Sequence, residues 1–202
     1  MIGRSYSWCC ALAFCAWAAA GVPDRVNADT LWQIGKVDGS DVEFALAPGD
    51  AVKGFPVSFP TDPTFAIGAS DRKKDWPYVQ PGPDDAWAGG VPHVFSVVFG
   101  LRDAPTAGAC QLVLNLIDAQ YNAPPRVVVA VNGKSLPPKV PEKGTSDAAI
   151  FGDPAQGRHQ SLTFDFPAVS LRSGGNLLTI TTESGSWILY DASAWRPRLA
   201  WN

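Results

Sequence analysis

Apolar residues recur at every second position through much of this chain. Phe95, Val97, Phe99 and Leu101 share one face of residues 93–101, and Cys110, Leu112, Leu114 and Leu116 share one face of residues 110–116. Such alternation marks a strand with one side in a core, and both segments are predicted as central strands. Val127, Val129 and Val131 run into Asn132-Gly133. Both residues accept the positive φ of a two-residue type I′ turn, so a hairpin is expected, with its return strand beginning at Lys134.

The same reading extends to both ends. Residues 31–35 (LWQIG) and the alternation Val42, Phe44, Leu46 predict two strands joined by a turn at Asp38-Gly39-Ser40. Phe55, Val57 and Phe59 predict a further strand, which Pro56 and Pro60 confine to an edge. Towards the other end Leu162, Phe164 and Phe166 alternate, Pro167 opens one helical turn, and residues 176–182 and 187–190 close the fold. About nine short strands spaced by turn signals are the pattern of an all-β, two-sheet sandwich.

Two stretches break the alternation. Residues 67–90 (IGASDRKKDWPYVQPGPDDAWAGG) hold three prolines and the charge cluster Asp71, Arg72, Lys73, Lys74, Asp75, and they sustain neither structural period. A long ordered surface loop is expected there, and loops of that length in compact domains are commonly functional. Residues 137–157, which begin PPKVPEKG, form a rival loop.

Composition sharpens this picture in three ways. With 202 residues, 46% apolar content, 17% charge, 19 Gly and 18 Pro, the chain suits a single turn-rich globular domain. Its net charge of -3 lacks the basic excess that a nucleic-acid partner demands. The first 28 residues are different in kind: Arg4 precedes the uncharged apolar run 6–20, and small residues follow at Ala20 and Ala28. This predicts a signal peptide cleaved after Ala28 or, less favoured, after Ala20. The run is shorter than the roughly 20 residues of a spanning helix. The expected organisation is a signal peptide over 1–28, a β-sandwich over 29–195 and a tail over 196–202. The protein is then secreted or periplasmic, with no membrane partner once the leader is removed. Cys9, Cys10 and Cys15 fall in the leader, which leaves Cys110, in phase with Leu112, as a thiol buried in a strand.

Candidate chemistry narrows by elimination. His93 and His159 are the only imidazoles, too few for a metal site built on several of them. Asp71, Asp75, Asp84 and Asp85 could supply oxygens to a structural Ca²⁺, but no DxDxDG loop is present, and solvated turn carboxylates are the better reading. Gly68-Ala69-Ser70 lacks the closing glycine of a nucleophile elbow. Nothing singles out a pair of acids for glycoside hydrolysis, so no catalytic residue is assigned. The aromatic residues remain. A pyranose has an apolar C–H face and polar edges, and is held by a flat ring beside hydrogen-bonding side chains. Trp76, Tyr78 and Trp87 are the candidate platforms, with Arg72, Lys74, Gln80 and Asp85 to engage hydroxyls, and Arg72 suited to a uronate carboxylate. In the competing arrangement these rings fold inward and cap the sandwich.

The runs LWQIGKVDGSDVEFAL, FAIGASDRKKDWPYVQPGPDDAWAGG, VVVAVNGKSL, FDFPAVSLRSGGNLLTI and SGSWILYDA resemble, in the same order, the C-terminal carbohydrate-binding-like domain of polysaccharide lyase family 4, the rhamnogalacturonan lyases. The resemblance spans residues 31–190, and W-x-I-G-x-x-D-G and the stretch from Gly68 to Pro77 are its most specific parts. It implies a jelly-roll β-sandwich of the galactose-binding-like kind, and a non-catalytic module for a pectic or related plant polysaccharide. A scaffold or accessory subunit of a separately encoded lyase is the alternative it leaves open, with lyase activity in the chain itself the least favoured. In that family catalysis resides in a large N-terminal domain, and its catalytic Lys and His have no counterparts here to map onto. Residues 196–202 depart from the family pattern, beyond the expected last strand.

Overall fold

The structure, a computed structural model, describes residues 30–198, with side chains described up to Trp195. The expected signal peptide lies outside these residues. Among them, alternation becomes two facing sheets. The first has the order β1 (Trp32–Gly35), β10 (Ile188–Arg198), β5 (Ala109–Ala119), β8 (Gln160–Pro167), and β3 (Val79–Gln80) also pairs with β10. The second runs β2 (Thr64–Ala66), β4 (His93–Leu101), β9 (Gly174–Ser184), β6 (Arg126–Val131), β7 (Lys134–Ser135). All pairings are antiparallel except β2 with β4. The architecture is the expected jelly-roll type of β-sandwich.

The core is the sum of the inward faces. Leu112, Leu114 and Leu116 of β5 and Phe164 of β8 are buried against Phe95 and Val97 of β4, Val127 and Val129 of β6, and Ile180 of β9. Cys110 continues the β5 face and is buried, as its phase required; loss of hydration pushes its thiol pKa up against a weaker opposing contact from Trp195. Asn132 (φ 50°) and Gly133 (φ 81°) both take positive φ between β6 and β7, so the hairpin is as its dipeptide specified.

Three expectations about elements are corrected. Residues 42–46 form turns: Val42 is 59% exposed while Phe44 is buried, so the alternation there belongs to a loop wrapped around one anchoring ring. Residues 55–59 are not an edge strand. They lie at the end of a helix, α1 (Ala51–Ser58), in which Ala51 and Phe55 are buried, Phe55 and Phe59 stack at 5.7 Å, and Val57 is 80% exposed. The spacing of four from 51 to 55 to 59 is the helical signal, and it overrides the period-two coincidence at 55, 57 and 59. The last strand does not stop at Tyr190: β10 pairs with β5 as far as Arg198 opposite Ala109, three residues into the segment set apart as a tail.

The largest correction concerns residues 67–90. Only their ends are surface loop. A short helix, α2 (Arg72–Asp75), is capped by Asp71, whose side chain accepts from the Lys73 amide. Residues 76–82 then pass into the interior and are buried throughout, with β3 joining the edge of β10 beyond β1.

Candidate functional site

Burial removes three of the seven sequence-predicted site residues from any sugar platform. Trp76 is fully buried, edge-on to Phe65 (6.0 Å between centroids) and to Phe95 (5.2 Å). Tyr78 is buried and donates its hydroxyl to the Ile150 carbonyl oxygen; burial raises its phenol pKa well above the usual value. Gln80 is buried as well, its amide donating to the His93 oxygen (3.0 Å) and the Ile180 oxygen (2.8 Å), while its own oxygen accepts from the Tyr190 hydroxyl. Two large rings gain more from the interior of the sandwich than from water, and Gln80 can follow them because each of its polar atoms finds a partner.

The other four are dispersed. Lys74 is exposed, 3.9 Å from an Asp71 carboxylate oxygen, on a shallow depression with Asp62 and Asp75. Arg72 is half-buried and lines a different, open depression of about 620 Å³ with Gln33, Glu43, Phe65 and Ser70. Asp85 and Trp87 share a third, of about 450 Å³, with Asp84, Gln120, Asn122, Asp147 and Phe151.

This third depression is built where loops converge. Pairing of Ile188 with Ala119, of Arg126 with Ser184 and of His93 with Thr182 brings the β5–β6, β9–β10 and β3–β4 connections to one end of the sandwich. Asp85 ties two of them together. Its buried carboxylate accepts from the Gly82 amide at 2.8 Å and from the Ser186 hydroxyl at 2.5 Å. Desolvation raises its pKa, opposed by the bonds from Ser186, Gly82 and Trp87. The approach is so close that a Cβ on Gly82 would stand 2.4 Å from the Gly185 oxygen, which excludes any larger residue there. The third connection joins through Ser186, whose amide donates to the Ala123 oxygen at 2.8 Å.

Trp87 sits on a single 3₁₀ turn, Ala86–Ala88, half-buried with its ring at right angles to Phe55, 6.1 Å away. His93 supports this turn from below. One ring nitrogen lies 3.0 Å from the Ala88 oxygen and the other 2.6 Å from an Asp62 carboxylate oxygen. Both nitrogens therefore face acceptors, which suits the doubly protonated ring; burial works against that charge, but the Asp62 contact prevails and the His93 pKa is raised.

Sequence reasoning missed Gln120, Asn122, Asp147 and Phe151. Phe151 is 63% exposed and follows Ile150, the residue that Tyr78 holds, so the buried tyrosine anchors the turn that presents the phenyl ring. Asp147 and Phe151 belong to the rival loop 137–157, so both proline-rich stretches reach one depression. Gln120 spends its oxygen on the amides of Asn122 (2.6 Å) and Ala123 (2.7 Å) and keeps its NH₂ group free. Among the described residues the side chains of Asp84, Asn122 and Asp147 have no hydrogen-bond partner. Of the carboxylates considered for Ca²⁺, Asp71 caps α2, Asp75 accepts from the Asp71 amide, Asp85 is spent on Ser186 and Gly82, and Asp84 stands on the rim. No group of three or more His, Cys, Asp or Glu among the described residues could hold a metal ion.

The chain is 27% identical over 175 residues to a rhamnogalacturonate lyase of Dickeya dadantii (strain 3937), covering 83% of this chain and 28% of the lyase. It thus spans little more than a quarter of that relative's length. Among solved structures, a family 35 carbohydrate-binding module from an environmental isolate is 15% identical with a TM-score of 0.34, covering 55% of this chain and 72% of that one. The corresponding values for the family 35 module from Clostridium thermocellum are 14% and 0.35, over 52% and 68%. The sandwich that carries the loop-end depression, residues 30–193, matches the family described as CBM-like, polysaccharide lyase family 4, domain III, and the chain belongs to that family.

Proposed function

We propose that the protein is an exported, non-catalytic module that binds a polysaccharide of pectic, rhamnogalacturonan type in the loop-end depression. One observation carries the reading: the exposed phenyl ring of Phe151 and the indole of Trp87 line a single open depression with Asp84, Asn122 and Asp147, whose polar atoms are uncommitted. Rings supply the surface on which a sugar's C–H face packs, and free carboxylates and amides take its hydroxyls. Membership of a CBM-like family and the relationship to a rhamnogalacturonate lyase support the choice of polymer. Export rests on the leader pattern of residues 1–28.

Titration of the protein with pectic oligosaccharides, followed by Trp fluorescence and calorimetry, tests the reading. Binding is expected for the wild type and is lost in Phe151→Ala with the fold intact. A variant that binds as well as the wild type would rule out this depression. Release of ultraviolet-absorbing unsaturated uronide from the same polymer would show a lyase instead. The relationship to a rhamnogalacturonate lyase supports a second reading, an accessory subunit acting beside a separately encoded lyase. That assembly would co-purify with its partner and leave sugars unbound.

A further inference from the structure

Resting on the carbohydrate reading of the loop-end depression, we infer that its ligand is a neutral sugar unit offering vicinal hydroxyls, and that uronate units are rejected there. The lining decides this. Asp84, Asp85 and Asp147 contribute three carboxyl groups, and the remaining lining residues include no Lys, Arg or His. Asp85 is committed internally to Ser186 and Gly82, which leaves Asp84 and Asp147 to face a ligand. A carboxylate only accepts hydrogen bonds, and its two oxygens can take two adjacent hydroxyl protons at once. These are charge-assisted bonds, stronger than neutral ones. The free amides of Gln120 and Asn122 supply donors for the hydroxyl and ring oxygens.

A uronate carboxylate entering the same space meets like charges and no cation, which costs both repulsion and desolvation. The residue suited to neutralise it, Arg72, lines the separate depression with Gln33 and Glu43. In a polymer that carries both kinds of unit, the depression therefore selects neutral residues and leaves the acidic ones in solvent.

The test is competition between a neutral galacto-oligosaccharide and an oligogalacturonate of equal length, in low salt with chelator and again with added calcium. Neutral ligand is expected to bind at least tenfold more tightly in both buffers, and salt is expected to narrow the gap by screening. The double variant Asp84→Asn/Asp147→Asn keeps the side-chain shape and removes the charge. It should lower the affinity for neutral ligand severalfold, raise that for oligogalacturonate, and shrink the ratio at least fivefold, with a melting temperature close to wild type. Oligogalacturonate binding as tightly as the neutral ligand, in either buffer, or a ratio unmoved in the double variant, would overturn the neutral preference while leaving carbohydrate binding in place. Failure of every glycan to bind would overturn both, and is told apart by the absence of any signal in the wild type.

Discussion

Ser186 donates its hydroxyl to Asp85 at 2.5 Å across 101 residues of sequence, and this bond fastens the turn between β9 and β10 to the loop that carries Trp87. Removing it leaves a buried carboxylate oxygen without its partner. Ser186→Ala is expected to cost about 1–3 kcal/mol of stability, as for other buried acceptors left unsatisfied. The expected readout is a lower denaturation midpoint, with weaker ligand binding because the Trp87 loop loses its tether. Unchanged stability would mean that water replaces the hydroxyl.

Phe151 and Trp76 should separate binding from folding. Phe151 is 63% exposed, so Phe151→Ala is expected to change stability by no more than about 0.5 kcal/mol while removing the ring proposed to face the sugar. Trp76 is fully enclosed by Phe65, Phe95 and Tyr190, and Trp76→Ala should cost about 3–5 kcal/mol. Trp87, half-buried on Phe55, serves both ends, so its alanine variant is expected to lose binding together with some stability. Chemical denaturation and calorimetric titration of the three variants check the contrast.

Stability should fall as pH rises. Burial, reinforced by the charge of Glu43, raises the pKa of Asp41, whose two buried carboxylate oxygens have no hydrogen-bond partner; desolvation likewise raises Asp85, Asp118 and Asp191. A carboxyl with a raised folded pKa keeps its proton in the folded chain after the unfolded chain has released it. Its contribution is complete below the ordinary value of 3.8 and is lost as pH climbs through the raised one. His93 acts in the same direction, its support being complete below its ordinary 6.5 and lost as pH passes its raised value. Thermal midpoints are expected to be higher at about pH 5 than at about pH 8. Asp41→Asn should raise the midpoint at neutral pH and change little in acid.

Arg72→Ala tests how far the predicted site has come apart. The guanidinium lies in the depression with Gln33 and Glu43, away from the one lined by Trp87 and Phe151. Affinity at the loop end should be unchanged within about twofold, because separate sites without shared partners behave additively. A loss of tenfold or more would place Arg72 on the path of a longer ligand.

Cys110 is buried on β5, and a thiol reagent should reach it only after denaturation. Rapid labelling of the folded protein would contradict that placement.

The strands that could be read from the chain are those whose alternation persists over many residues and is bounded by clear turns: β4, β5, β8 and the hairpin at Asn132-Gly133. At Phe55, Val57 and Phe59 three residues were too few to separate a period of two from the helical spacing that Ala51 reveals. Between Ile67 and Gly90 the prolines and charges report local backbone geometry correctly, as the α2 cap and the 3₁₀ turn show, but turn chemistry says nothing about depth. Trp76 and Tyr78 are buried because the sheets have room for them, a property of the assembled sandwich. Asp85 and Trp87 were legible as candidates because they follow the buried run 76–82, where the chain turns back towards the surface, though Asp85 itself is buried. Gln120, Asn122, Asp147 and Phe151 were not, since their neighbourhood is created only when distant connections meet.

The Tyr78 hydroxyl on the Ile150 oxygen links residues 72 apart in sequence, and Ser186 reaches Asp85 over a still longer span. A partly folded chain with β4 and β9 already paired would hold Phe95, Val97, Phe99, Leu178 and Ile180 on its strands and none of this surface. The proposed sugar recognition would thus be a late-arriving property, acquired after the long closures that slow folding in sandwiches of this kind. A bound glycan would serve as a reporter of the finished molecule and, by binding only that form, would bias refolding towards it.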